Sequence, residues 1–350
     1  MKTSNNPYTL YRIVIKSVTW SRDSHGLYDY ESRNVQKKVL NLNSACQLLR
    51  EGSEVKQIQS LPLASSSLCN VSTESSEFFL NAASEPIWLV ARTMKTKHGP
   101  GFVLTEGNII KLGRVCFKVS TLRTTCESEE SDKTQDSDEL DLGIPNERES
   151  GACKICLSND SDSTDPLISP CKCAGSMKYI HLECLRSWIK SRMISRNTDN
   201  CITFSWKSID CEICKSGIPF AFEGAGSELL SIQKPKSPFI VLEGVGNDKN
   251  SNKGVHVIAV TGSCEILLGR GHEADVRISD ISVSRTHAGI RFVDGCFVME
   301  DKSSKFGTLL ACEDKVKISQ MGSQVVQIGR TILSFSGKQG QSTESFDFAG

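Results

Sequence analysis

Apolar positions along the chain fall into three stretches separated by polar ones. In residues 11–18 and 87–91, β-branched and aromatic side chains crowd into short runs that predict strands. Ser-rich polar stretches such as 63–76 lie between them. From 238 to 337, short alternating apolar runs recur between Gly, Asp and Ser, the pattern of an all-β sandwich. One segment keeps a different period. Leu182, Leu185, Ile189 and Met193 recur at spacings of three and four, which places them on one face of a helix between His181 and Arg196. Arg186, Lys190, Arg192 and Arg196 fall mostly elsewhere and read as a solvated basic face.

The polar breaks set the expected boundaries. Residues 126–150 carry ten acidic and two basic side chains and almost no apolar ones. Such a segment buries too little surface to offset its ordering entropy, so it reads as a flexible linker. A shorter Gly/Ser/Pro/Lys-rich break at 222–237 reads as a second linker, and the polar run 338–350 as a disordered tail. The expected blocks are then a β-rich domain over 7–125, a Cys/His-rich domain over 151–221 and a β-sandwich over 238–337. One internal likeness crosses these blocks: IIKLGRVCFKV at 109–119 and VVQIGRTILSF at 325–335 both read as strand, Gly-Arg turn, strand. Two hairpins of similar composition, or a first block that is a divergent copy of the third, account for it equally well.

Charge and hydropathy narrow the partners. The chain has 350 residues, with 41 basic and 41 acidic side chains. No global field favours nucleic acid or an anionic membrane, and neither is expected as a partner. No apolar stretch reaches the roughly 18 residues of a membrane span. The N-terminus, MKTSNNPYTLYRIVIKS, lacks the apolar core and cleavage site of a secretory signal. The chain reads as soluble, cytoplasmic or nuclear. Fifteen cysteines then point to metal, since disulfides are disfavoured in reducing compartments.

Seven of those cysteines and one histidine form four close pairs: Cys153 and Cys156, Cys171 and Cys173, His181 and Cys184, Cys211 and Cys214. Zinc takes four N or S ligands in a tetrahedron, and a C-x2-C turn offers two thiolates to one ion. Four pairs therefore suit two zinc ions. The order of the pairs leaves sequential and cross-braced pairing open. Cys201 has no paired neighbour and is excluded as a ligand.

The run SPCKCAGSMKYIHLECLRSWI at 169–189 resembles the signature of RING-CH zinc fingers, and WKSIDCEICK at 206–215 resembles their closing segment. The resemblance implies a small α+β cross-braced domain. It places one zinc on Cys153, Cys156, His181 and Cys184, and a second on Cys171, Cys173, Cys211 and Cys214. A PHD finger, a histone-tail reader, shares the ligand order. The one-residue gap in CKC, the seven residues before His181, and Ile209 at the usual aromatic position favour the RING-CH likeness. The long gap before Cys211 is expected to be an inserted loop.

Both zincs would be structural, each filled by protein ligands with no open position. Their thiolates are committed to metal, so no covalent ubiquitin acceptor and no catalytic residue is assigned. The resemblance implies a RING-type ubiquitin-protein transferase, which holds a ubiquitin-conjugating enzyme carrying ubiquitin and accelerates transfer by orientation. Ile155 matches the apolar position that such domains present to the conjugating enzyme, and Trp188 the tryptophan of the same groove. Lys215 matches a basic residue that bridges to ubiquitin, and Pro219 flanks the groove.

LLGRGHEADVRISDISVSRTHAGI at 267–290 and EDKSSKFGTLL at 300–310 resemble a forkhead-associated (FHA) domain, a β-sandwich that binds phosphothreonine with its loops. The likeness gives Arg270 and Arg285 as charge-assisted donors to a phosphate dianion and Ser284 as a hydroxyl donor. His287 matches a position that braces the binding loop, and Gly269 permits the turn before it. The family commonly has Asn before the Gly-Thr of the last loop; here Phe306 stands there, preceded by Lys305 as a substitute phosphate contact. The first block lacks a Ser-x-x-His motif beside a Gly-Arg loop, and no site is assigned to it. The expected whole is a ligase that recruits phosphothreonine-containing proteins. The alternatives are a non-enzymatic zinc- and phosphopeptide-binding scaffold and a PHD-like chromatin reader.

Overall fold

The computed structural model describes residues 13–22, 26–59, 67–75, 77–124, 151–162, 164–206, 209–218, 235–245, 254–312, 315–318 and 323–337. The expected linker 126–150, tail 338–350, most of the linker 222–237 and Pro219 lie outside them. Contacts divide the chain into two compact units, 1–116 with 265–350, and 117–264.

The first unit is all-β, and distant parts of the sequence share its sheets. Ile13–Trp20 alternates buried Ile13 and Ile15 with exposed Lys16, the period of a strand with one face in a core. It pairs antiparallel with Val35–Leu42 on one side and with Thr331–Gly337 on the other. A second sheet joins Cys46–Glu51, Glu54–Ile58, Ser67–Glu74 and Glu77–Ala82, and its edge is covered by Val316–Ile318. A third joins Ile266–Gly269, Val276–Arg277, Ala288–Val293 and Cys296–Asp301, with Phe102–Val103 at its edge. Trp88–Val90 and Thr308–Ala311 pair antiparallel at the centre of the first sheet. On its other side, Trp88–Val90 takes Ser323–Ile328, and Thr308–Ala311 takes Ile109–Leu112.

This pairing differs from the expected boundaries. Strands of 7–125 finish sheets begun by 266–311, and strands of 316–337 finish sheets begun by 13–82. An open edge exposes unpaired N–H and C=O groups, and each half satisfies the edges of the other. The core follows the pairing: Ile13, Ile15, Leu48 and Leu80 pack with Val326, Leu333 and Phe335. Each such burial contributes roughly 1.5–3 kcal/mol. The two similar hairpin sequences occupy matching places, since Ile109–Leu112 runs beside Thr308–Ala311 as Ser323–Ile328 runs beside Trp88–Val90.

The second unit holds the Cys/His-rich block. A short pair, Leu167–Ile168 with Ile180–His181, leads into the helix Leu182–Ser191. The helix buries Leu182, Leu185 and Ile189, as their spacing predicts. It ends before Met193, because the chain turns at Arg192 into the strand Ile194–Asn197. The expected loop before Cys211 is instead largely a hairpin, Ile194–Asn197 with Cys201–Trp206. The Trp206 indole N–H donates to the Ile189 carbonyl at 3.2 Å and ties this hairpin to the helix end. Cys201 is buried in the hairpin strand. Val255–Val260 pairs with Cys201–Trp206 and with Phe239–Val245. The first two strands expected of the C-terminal sandwich thus extend this sheet, and Phe239, Val241 and Val257 share a core with Leu185, Ile189 and Trp206. Among the described residues, no helix is long and apolar enough to cross a membrane.

Candidate metal centres and phosphate loops

Two turns of nearly the same sequence, CKICLS at 153–158 and CEICKS at 211–216, fold alike. The Cys153 N–H donates to the Ser158 carbonyl at 2.8 Å, and the Leu157 N–H to the Cys153 carbonyl at 2.9 Å. In the second turn, Cys211 and Ser216 are joined at 2.9 Å, and Lys215 and Cys211 at 2.9 Å. Leu157 and Lys215 take φ values of 65° and 59°, left-handed conformations that the flanking hydrogen bonds enforce. The turn aims amides at sulfur: the Ile155 and His181 N–H groups each lie 3.4 Å from Cys153 Sγ.

The eight cysteine and histidine candidates gather in two clusters. The ligand atoms of Cys153, Cys156, His181 and Cys184 lie within 4.8 Å of one another, as do those of Cys171, Cys173, Cys211 and Cys214. The grouping is cross-braced, first pair with third and second with fourth. His181 sits just before the helix and Cys184 in its first turn, so three residues of helical rise bring both to one cluster. His181 Nδ1 lies 3.2 Å from Cys156 Sγ, and Nε2 contacts the Asp160 carbonyl. A proton on Nε2 donated to that carbonyl leaves Nδ1 as the metal-facing nitrogen. Lys154 Nζ lies 3.3 Å from Cys171 Sγ and 3.9 Å from Cys211 Sγ, offsetting negative charge on the four-cysteine cluster. Thiols this close cannot all ionise unaided. Burial, with hydrogen bonding to Cys171, Cys211 and Cys214, pushes the Cys173 thiol up to about 12. Both clusters are able to chelate a metal ion, and seven sulfurs with one imidazole suit zinc in particular.

An apolar groove of about 190 Å³ lies beside the two turns, lined by Ile155, Pro170, Met177, Trp188 and Ile213 among others. Ile155 is 46 % exposed and Ile213 53 %, each at the same place in its own turn. Trp188 projects from the helix, with the Arg192 guanidinium 5.0 Å from its ring. Arg192 in turn pairs with Glu212. Ile155 and Trp188 therefore meet at one groove. Lys215 sits at the left-handed position of the second turn, outside the groove lining. Sequence reasoning missed Ile213 and Met177. The repeated C-x-I-C was the available signal for Ile213.

The loops of the first unit form the other candidate site. Gly269 approaches a neighbouring loop so closely that a Cβ there would lie 1.9 Å from the Arg285 carbonyl oxygen. The Arg270 N–H donates to the Ser284 carbonyl at 3.0 Å, and the Gly271 N–H to the Arg285 carbonyl at 3.0 Å. This ladder brings exposed Arg270 and Arg285 to adjoining loops. His287 is fully buried, and burial holds its pKa below the ordinary value. Its neutral ring accepts from the Ser284 N–H at 3.0 Å and lies 3.1 Å from the Gly307 carbonyl through Nε2. Ser284 Oγ accepts the Lys305 N–H at 3.0 Å. The Lys305 ammonium lies 3.5 Å from the Asp29 carboxylate, which competes for its charge.

Comparison with known proteins matches the two segments that hold these residues. The RING-variant domain family matches residues 153–214, and the FHA domain family matches residues 266–333. E3 ubiquitin-protein ligase MARCHF7 of Rattus norvegicus is 26% identical over 160 residues, covering 43% of this chain and 20% of that protein. Probable E3 ubiquitin-protein ligase MARCHF10 of Homo sapiens is 33% identical over 72 residues, covering 21% of this chain and 8% of that protein. ERAD-associated E3 ubiquitin-protein ligase DOA10 of Saccharomyces cerevisiae (strain ATCC 204508 / S288c) is 39% identical over 72 residues, covering 20% of this chain and 5% of that protein. The chain thus matches only a fifth or less of the length of these curated relatives. The chain contains a RING-CH-type zinc-binding domain and, in a separate segment, an FHA domain.

Proposed function

We propose that this protein is a RING-type ubiquitin-protein ligase that recruits phosphothreonine-containing proteins. The observation that carries the reading is the exposed groove in which Ile155 of the first turn meets Trp188 of the helix. Two structural zinc ions would hold the turns and the helix start in register, with every coordination position taken by protein. The groove then binds a ubiquitin-conjugating enzyme through Ile155, Trp188 and Ile213. Lys215, at the end of the second turn, is the candidate contact to ubiquitin, and Pro219 the candidate flank. Transfer goes from the conjugating enzyme directly to a substrate lysine. The protein supplies orientation and restricted motion and forms no covalent intermediate with ubiquitin.

Arg270 and Arg285 supply charge-assisted donors to the phosphate of a phosphothreonine, and Ser284 presents its hydroxyl to the same space. Lys305 is a weaker phosphate contact because Asp29 holds it. Such a protein would act in the cytoplasm or nucleus, where reduced cysteines remain available to metal.

The test is autoubiquitination by zinc-loaded protein with a panel of conjugating enzymes. Polyubiquitin or multiple mono-ubiquitin adducts with at least one of them are expected. No adduct with any member would leave the non-enzymatic scaffold as the better account. For the second site, Arg270→Ala is expected to abolish capture of phosphothreonine peptides, and unchanged capture would remove the phosphate assignment.

A further inference from the structure

The zinc clusters and the phosphate loops leave the N-terminal block without a role, yet a turn and a short 3-10 helix of that block reach the binding loop. The Tyr30 N–H donates to the Lys305 carbonyl at 2.9 Å. The Tyr30 ring lies against Gly307, where a Cβ would come within 2.6 Å of a ring carbon. The Arg92 guanidinium stacks over the same ring at 3.9 Å. One Arg92 nitrogen, Nη2, donates to Asp301 Oδ2 at 2.9 Å and to the Ser304 carbonyl at 2.7 Å.

Asp301 is the hub of the loop. Its side chain has 0 % exposure. It accepts from the Ser304 and Thr308 N–H groups at 3.2 and 2.9 Å, and from the Ser304 and Thr308 hydroxyls at 2.5 and 2.9 Å. Such a carboxylate needs a cation, and among the described residues Arg92 is the one that touches it. The segment between Asp301 and Thr308 is therefore fixed at both ends. That segment delivers the Lys305 N–H to Ser284 Oγ and the Gly307 carbonyl to His287.

We infer that Arg92 and Tyr30, both from the N-terminal block, are positioning residues for the phosphothreonine-binding loop. The inference rests on the phosphopeptide reading of Arg270, Ser284 and Arg285. The reader is then composite: the third block supplies the phosphate donors, and the first block sets the geometry of the loop that carries Lys305, Phe306 and Gly307. Arginine suits the task because its planar, delocalised cation stacks on tyrosine while donating from its edge.

The test uses the full, zinc-loaded chain and a fluorescent peptide pool fixed at phosphothreonine, read by anisotropy beside its unphosphorylated counterpart. Arg92→Lys keeps a cation near Asp301 but removes the stacked fork. About tenfold weaker phosphopeptide binding is expected, the size of one lost charge-assisted hydrogen bond. Autoubiquitination and zinc content should stay unchanged. Tyr30→Leu should weaken binding similarly, and Tyr30→Phe, which keeps the stacked ring, should restore most of it. Should Arg92→Lys lower the thermal midpoint, the Tyr30 pair decides. Wild-type binding in a protein with Arg92→Lys or Tyr30→Leu, while Arg270→Ala no longer binds, would overturn the inference and leave the phosphate site standing. Failure of the unaltered protein to bind the pool would overturn both.

Discussion

Ile155 and Ile213 are apolar side chains held in water by turns that leave them nowhere else to go. Each sits between two cysteines whose sulfurs face a cluster, in a turn closed by its own backbone hydrogen bonds. Removing either side chain deletes little packing, so Ile213→Ala should change the thermal midpoint negligibly, a cost within about 0.5 kcal/mol. It should weaken conjugating-enzyme binding several-fold, measurable by titration calorimetry. Cysteines behave oppositely. Cys173→Ala should reduce bound zinc by at least one ion per chain, read by mass spectrometry under native conditions, because a three-thiolate cluster lacks a tetrahedral vertex. Ligands bind metal only when deprotonated, so zinc should be lost as pH falls, not as it rises. At this scale the sequence was highly informative, because metal ligation demands residue type and spacing together. Lys305 shows the limit: its contact with Asp29 crosses most of the chain, and no local pattern announces it.

At the level of elements, the helix Leu182–Ser191 was legible from its apolar spacing, although it stops short of Met193. The hairpin of Ile194–Asn197 and Cys201–Trp206 was not, because its exposed first strand has no alternating apolar face. Its second strand becomes intelligible only through Trp206, whose N–H caps the Ile189 carbonyl. Trp206→Phe should lower stability of the zinc block by about 1 kcal/mol, the usual worth of one hydrogen bond, seen in denaturant unfolding. The sheet beyond it contains His256, whose ring lies 5.6 Å from that of Phe117. Burial pulls the His256 pKa down to about 4. The unfolded chain therefore takes up this proton at higher pH than the folded one. The stabilising share of neutral His256 is complete above the ordinary histidine pKa of about 6.5 and is lost as pH falls toward 4. A His256→Leu protein should lose less stability between pH 7 and 5 than the unaltered protein; equal losses would count against the burial.

Across the whole molecule, the all-β character of the outer blocks was readable from alternation, but their pairing was not. Strand patterns specify faces, whereas partners are chosen by edges that lie far apart in sequence. The likeness of 109–119 to 325–335 was the one trace of it, since the two hairpins hold matching places on opposite sides of the Trp88–Val90 and Thr308–Ala311 pair. A fragment of residues 238–337 should consequently aggregate or stay unfolded, with Leu333 and Phe335 deprived of Ile13 and Ile15. Co-expression with residues 1–124 should recover soluble protein. Independent folding of the fragment, seen as dispersed amide resonances, would contradict the exchange.

On the proposed function, the groove beside the zinc turns activates a charged conjugating enzyme. The most direct measurement is single-turnover discharge of ubiquitin from that enzyme onto free lysine. Unaltered protein should accelerate discharge. The double substitution Ile155→Ala with Trp188→Ala should abolish the acceleration while zinc remains at two ions per chain. Acceleration that survives the double substitution, or its absence from the zinc-loaded unaltered protein with every conjugating enzyme tried, would contradict a conjugating-enzyme role for the groove.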